Sequence, residues 1–262
     1  MMENPRQELE KMIKDRDFNG VFEKATEFHG HYCHKVAYGV KASLLTMKEL
    51  GLETLSEEGG KIVAMADSPG PFCNGIQVTL GLTIGHSDFI IRDFGKLALT
   101  LLRHDGSAVK VSLRPEFLDG FPERNPELAP LLGGRYGTIP VPGEKATPLT
   151  IMQLMQYMMD KMKIKEEKEM KQMMEQMMVT VKEAVSRELK IPDEEMFKVE
   201  KKRLDFSIYA PICQCTHPVI VCESCNEVVF EPYIRIKKGK NVCIECAGEQ
   251  CSLLAKGKIL SE

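Results

Sequence analysis

The pattern of apolar and polar positions changes period several times along the chain, and each change marks an element. Val36, Val40, Leu44, Leu45, Met47 and Leu50 recur at helical spacing, and Gly51 follows as a helix C-cap. Lys61–Ala66 reads as a buried strand. Asp88–Arg92, Leu97–Leu102 and Ala108–Leu113 read as three more, with His104–Ser107 as a hairpin-like turn. Gly75–Ile84 has the β-branching of a strand but is assigned to helix. Residues 119–149 then lose all periodicity under repeated Pro and Gly, which predicts a long loop holding at most one short helical turn.

Helical spacing returns over residues 150–190. Ile151, Leu154, Met155, Met158 and Met162 line one face, and Met170, Met173, Met174, Met177, Val181 and Val185 line another. Ten of the sixteen methionines fall in this stretch, so it suits core or dimer packing, an adaptable partner face, or thioether metal ligation. Pro192 ends the helix, and Phe206–Tyr209 reads as a strand-like lead into the last region. The expected architecture is α+β: a mixed core over 18–118, the loop 119–149, a Met-rich helical insertion and linker over 150–204, and a small cysteine-rich domain over 205–262.

Composition narrows the setting. Apolar residues make up 43% and charged residues 28% of the 262, which is ordinary for a globular protein. A formal net charge of −3 and 6% aromatics with no Trp weigh against nucleic acid. No apolar run is long enough to span a membrane and Met1–Asp15 has no signal-peptide core, so a cytoplasmic protein is expected. Seven of the nine cysteines crowd into Cys213–Cys251, a distribution that suits metal thiolates better than a disulfide framework.

Cys222-Glu-Ser-Cys225 and Cys243-Ile-Glu-Cys246 form a C-x2-C-x17-C-x2-C pattern. Two residues between thiolates allow a tight turn to present both sulfurs to one ion, and zinc takes two such turns to fill a tetrahedron. The spacer alternates like a strand over Val228–Ile236 and reverses at Lys237–Lys240, as ribbon and treble-clef modules require. Four thiolates close the site, so one structural zinc per chain is expected there. Cys213, Cys215, His217 and Cys251 flank it, either as a second metal site or as spare side chains.

Phe28-His-Gly-His-Tyr-Cys-His34 places three of the six histidines beside Cys33. In an extended segment His29, His31 and Cys33 would point to one side. Cys33 would also stand at the start of the Val36–Leu50 helix, which lowers a thiol pKa. Such N and S donors suit zinc or a second transition metal, and the same geometry serves a Cys33 nucleophile with a His31 base. Capping or buried histidines would also account for the run. Asp67–Asn74, at the end of a strand, brings Cys73 as a further candidate ligand. Gly85–Asp88 and Asp93–Lys96 are lesser polar candidates, the latter readable as a solvated charge pair.

These runs resemble the FmdE family, the proteins related to the E chain of formylmethanofuran dehydrogenase. Phe28–Cys33 resembles its F-H-G-H-x-C signature, and Gly75-Ile-Gln77, Gly81–Gly85 and Asp93–Ala98 follow in order. The cysteine module resembles the treble-clef finger that many members carry. The resemblance implies an α+β core, a homodimer, a metal-associated His/Cys site and an auxiliary zinc finger. It also implies association with molybdenum or tungsten formylmethanofuran dehydrogenase, which handles formyl groups early in methanogenesis. The chain departs from the family where Cys33 is followed by His34-Lys35 instead of Pro-Gly. Aligned on Ile76-Gln77, the family's second Cys falls on Pro71 and its second Asp on Asn74, which leaves Cys73 as a displaced candidate. Two other classes stand beside this one. The basic edge Arg235, Lys237, Lys238 and Lys240 is the feature for a nucleic-acid-binding regulator. Cys33 and the Met-rich helix are the features for a thiol redox or metallochaperone protein.

Overall fold

The computed structural model describes residues 4–55, 58, 60–128, 156–157, 159–160, 167–211 and 217–249. Cys213, Cys215, Cys251, most of the 119–149 loop and the first methionine face, Ile151–Met162, lie outside the described residues. The chain opens with helices α1 (Gln7–Lys14), α2 (Phe18–His29) and α3 (His34–Glu49). The Asp17 carboxylate caps α2 by accepting from the Gly20 amide at 2.9 Å. Strand β1 (Ile62–Ala66), helix α4 (Pro71–Leu80), and strands β2 (Phe89–Ile91), β3 (Ala98–Arg103) and β4 (Ser107–Leu113) follow. After two short helical turns comes the long helix Glu167–Glu188, then strand β5 (Phe197–Arg203).

The five strands form one sheet in the order β2-β1-β3-β4-β5, with β1 and β2 parallel across α4 and every other pair antiparallel. Ile62, Ala64 and Ala66 of β1 face the helices, where they meet Phe22, Val40 and Ile76. Val63 and Met65 face the other way into a smaller cluster with Leu102, Ala108, Phe206 and Tyr209. Burial on both faces explains why β1 is an unbroken apolar run. The core draws on sequence well outside 18–118: Leu9, Ile13, Val181, Val185, Leu189 and Phe197 all belong to it. The Met face of the long helix joins it through Met177, Val181 and Val185, while Val179 is exposed.

Several elements differ from the sequence reading. The α4 helix begins at Pro71, four residues before Gly75, because proline suits the first helical position; it ends at Gly81, whose φ of 71° serves as the left-handed cap. Phe206–Ile208 is a turn of 3-10 helix instead of a strand, held by the Asp205 side chain on the Ser207 amide. The sequence pattern predicts no strand at Phe197–Arg203, yet β5 forms there, and its Lys and Arg content marks an edge strand.

Helices α3 and α4 touch backbone to backbone. A Cβ on Gly39 would stand 2.2 Å from the Phe72 carbonyl oxygen, and one on Gly75 would stand 2.2 Å from that of Val36. Gly39→Ala is therefore expected to push the helices apart and cost about 1–3 kcal/mol, read as a lower urea midpoint. An unchanged midpoint would mean the crossing is looser than this. Lys41, almost wholly buried, clamps the end of the long helix onto α3. Its ammonium donates to the carbonyls of Leu189 (3.0 Å) and Ile191 and lies 3.6 Å from Asp193. These carbonyls are among those a helix end leaves without partners.

Candidate metal centres

The cysteine module is two hairpins and a helical turn. Strands β6 (Val219–Val221) and β7 (Val228–Phe230) flank the first cysteine pair, and strands β8 (Ile234–Lys237) and β9 (Lys240–Cys243) lead into the second. Asn226, at φ 66°, turns the first knuckle, and its amide donates to the Cys222 carbonyl at 2.9 Å. Lys238 and Gly239, both at positive φ, make the two-residue turn between β8 and β9 that suits a twisted hairpin. The chain then enters the helical turn Ile244–Ala247 with Cys243 as its N-cap. The knuckle is pinned to β9 by Glu223, whose amide donates to the Asn241 carbonyl and whose carboxylate accepts the Asn241 amide at 2.7 Å.

This geometry gathers Cys222, Cys225, Cys243 and Cys246 so that all four sulfurs lie within 4.8 Å of one another. Cys225 and Cys243 stand 4.0 Å apart, far beyond a disulfide length. A tetrahedral ion with Zn–S of about 2.3 Å needs its sulfurs about 3.8 Å apart, so the donor set fits a closed metal site. Backbone amides point at the sulfurs: Cys243 N–H donates to Cys222 Sγ at 3.3 Å and Cys246 N–H to Cys243 Sγ at 3.4 Å. The amides of Cys225 and Cys243 hold the Cys222 thiol down to about 6. Against the Glu227 amide, the neighbouring Cys222 side chain, burial and the other thiols carry Cys225 up to about 12. Four crowded sulfurs ionise one at a time unless a cation compensates them.

The second cluster forms at the junction of α2 and α3, and it is a helix cap, not the extended segment expected. His29 is the last residue of α2. Gly30, at φ 94°, closes the helix with its amide on the Thr26 carbonyl at 2.8 Å, a conformation that other residues adopt only with strain. Cys33, in extended conformation, is the N-cap of α3. The tight turn brings donor atoms of His29, His31 and Cys33 within 4.8 Å of one another. The two imidazoles stack at 4.3 Å between ring centroids. Burial, and then the neighbouring His31, lower the His29 pKa, which favours the neutral ring a metal requires.

His29 Nδ1 lies 3.0 Å from the Asn74 side-chain amide, and Nε2 is buried without a hydrogen-bond partner. With the Asn74 amide turned so that its oxygen accepts from Nδ1–H, Nε2 keeps its lone pair. That tautomer is the one a metal-ligating histidine uses, with its other nitrogen held by an outer partner. The orphaned nitrogen and the N/N/S donor set fit a transition metal ion. Tyr32 braces the turn: its hydroxyl donates to Glu23 at 2.8 Å and accepts from Lys182 of the long helix at 3.0 Å.

The remaining candidates sit elsewhere. Cys73 is outside the three-residue cluster: its thiol is buried on α4, donates to the Ser68 carbonyl at 3.0 Å, and is pushed by burial up to about 11. Asn74, the next residue, makes the contact with His29 instead; the signal for it was its place in the family's second Asp position. His34 is buried against Phe121 and Tyr38, and burial pushes it down to about 4. Asp67 is fully buried beneath Arg92 and Lys110, each with a contact of 2.6 Å. Asp88 accepts the Thr83 amide at 2.7 Å, while Asp93 and Lys96 are exposed. His217 is half-buried beside Tyr209, Phe230 and Tyr233 and is no part of the four-cysteine group.

A sheet layered with helices, a His/Cys turn at a helix junction and a four-cysteine module define an α+β metal-site protein. The chain belongs to the FmdE family: the family described as "FmdE, Molybdenum formylmethanofuran dehydrogenase operon" matches residues 28–198. A "Probable S-adenosyl-L-methionine-binding protein" of Archaeoglobus fulgidus is 27% identical over 257 residues, 97% of this chain. The chain spans only 57% of that relative's length. Among solved structures, an FmdE-like protein of tungsten formylmethanofuran dehydrogenase from Syntrophus aciditrophicus aligns with a TM-score of 0.50 at 16% identity. That alignment covers 88% of this chain and 92% of the other, and it supports the fold alone. No described helix is long and apolar enough to cross a membrane.

Proposed function

We propose that the chain is a two-centre metal protein, with one structural zinc on Cys222, Cys225, Cys243 and Cys246 and a second transition metal ion on His29, His31 and Cys33. The observation that carries the second centre is the buried, unpartnered Nε2 of His29 beside two further donors within 4.8 Å. Three protein ligands leave a coordination position open, whereas four thiolates close the finger. A bound ion there would supply Lewis acidity, which suits hydrolytic or formyl-group chemistry. In this reading His31 and Cys33 are the residues closest to the reaction, Asn74 orients His29, and Gly30 sets the turn. Cys73 serves the Ser68–Gly70 loop.

The family name supports association with molybdenum or tungsten formylmethanofuran dehydrogenase. In this reading the protein is a cytoplasmic homodimer, with a core built on 18–118 and a finger over 205–262 that serves folding and docking. Cobalt(II) loading tests the two centres. Two equivalents are expected to bind with different visible spectra, one of a tetrathiolate site and one of a mixed imidazole–thiolate site. Cys33→Ser is expected to abolish the second spectrum alone. A single equivalent, unchanged by Cys33→Ser, would rule out the core centre.

A further inference from the structure

A cavity lies at the end of α3 opposite the His/Cys turn. The helix runs for 16 residues, so about 24 Å separates its two ends. The cavity holds about 490 Å³, within the range of small-molecule sites. Ile13, Phe18, Leu44, Met47 and Leu52 supply apolar wall. Lys14, Arg16 and Lys48 line the same cavity, all exposed, and among the described residues none makes a side-chain hydrogen bond or an ion pair. The carboxylates on the wall are Glu53 and Asp193, and Asp193 faces Lys41 at 3.6 Å. Three cations thus surround an apolar hollow with one carboxylate free to oppose them. A neighbouring cavity of about 490 Å³ shares Arg16, Phe18 and Asp193 and adds Lys190, which extends the cationic lining.

We infer that this cavity binds an amphipathic anion, an aliphatic body bearing a phosphate or carboxylate head, at a site separate from both metal centres. Aliphatic walls accept the chain by removing it from water, and the unpaired cations supply charge-assisted hydrogen bonds to the head. Polar nucleotides do not suit such walls, because Phe18 is the one aromatic side chain among the described residues lining the cavity. A cationic amphiphile would meet the same walls but the wrong charge. Arg16 lines both cavities, at a φ of 55° between α1 and α2, so the loop that carries it forms part of the wall.

Dodecyl phosphate is the probe, titrated calorimetrically into the full chain below its micellar concentration. One molecule per chain is expected to bind, with inorganic phosphate and dodecyltrimethylammonium each weaker by about tenfold or more. Arg16→Glu combined with Lys48→Glu, both at exposed positions, is expected to weaken the probe by about tenfold while the ligand-free melting temperature stays unchanged. A diazirine-bearing alkyl phosphate is expected to label peptides spanning Leu44–Leu52 in the wild type, a readout that does not depend on how the variant folds. Absence of binding up to about 1 mM would overturn the site. Equal affinity for the cationic amphiphile, or labelling confined to the finger, would overturn it too.

Discussion

Cys243→Ser is expected to unfold the finger while leaving the five-stranded sheet intact. Among the described residues, the buried side chains of the finger cluster are Cys222, Val242 and Cys243, with Val229, Cys246 and Ala247 packed beside them. Three of those six are metal-ligand candidates, so packing alone cannot hold the module together. Structural zinc contributes about 10–16 kcal/mol of folding free energy in finger peptides at neutral pH, and removing one of four thiolates forfeits most of it. In amide NMR spectra the signals of 217–249 should collapse to unfolded positions, while those of β1, β3 and β4 remain. A strong chelator should reproduce the change in the unaltered protein. A finger that keeps its dispersed signals through both treatments would show that its fold does not depend on an ion.

Glu188→Ala is expected to be the most damaging single change in the core. The Glu188 carboxylate is buried and accepts from the Tyr38 hydroxyl at 2.6 Å, the Asn125 amide at 2.9 Å and the Arg124 guanidinium at 3.2 Å. Burial, then the Glu188 charge, hold the Tyr38 phenol well above its usual range, so it stays a donor. Three elements meet here: α3, the turn at Phe121–Arg124 and the long helix. Removing the carboxylate leaves a hydroxyl and an amide without an acceptor, and the guanidinium without its counter-charge. A loss of about 3–5 kcal/mol in urea unfolding is expected, with Tyr38→Phe costing about 1 kcal/mol. Because His34 packs on Tyr38 and follows Cys33 directly, Glu188→Ala should also loosen the His/Cys turn. A loss below about 1 kcal/mol would mean that solvent replaces the network.

The elements legible in the sequence are those whose burial pattern is local. The period of α3 and the apolar runs of β1, β3 and β4 name their own structure, because each buries a fixed face against the core. Strand β5 carries no such pattern. Its place comes from pairing with β4 over Ser107–Leu113, and its lysines are what an edge tolerates. The 3-10 turn at Phe206 misleads in the other direction, since its apolar residues cover the second face of the sheet without joining it. The finger is legible because cysteine spacing is itself the geometry. The His/Cys turn is legible as chemistry but not as conformation: residue types name the donors, whereas Gly30 as a helix cap depends on recognising α2. Asn74 is hidden because its role exists only through the contact between α4 and the end of α2. Cys73 draws attention by type, yet the pitch of α4 places it on the buried side.

Everything proposed for the core site rests on two metal ions of different kinds in each chain. Elemental mass spectrometry on the purified protein and on its Cys33→Ser variant decides whether both are there. Two ions per wild-type chain are expected, one of them zinc, falling to the zinc alone in a variant that keeps its melting profile. One zinc per chain in both proteins, after growth and reconstitution with the candidate metals, would contradict the second centre. His29, His31 and Cys33 would then stand as a helix cap with a free thiol.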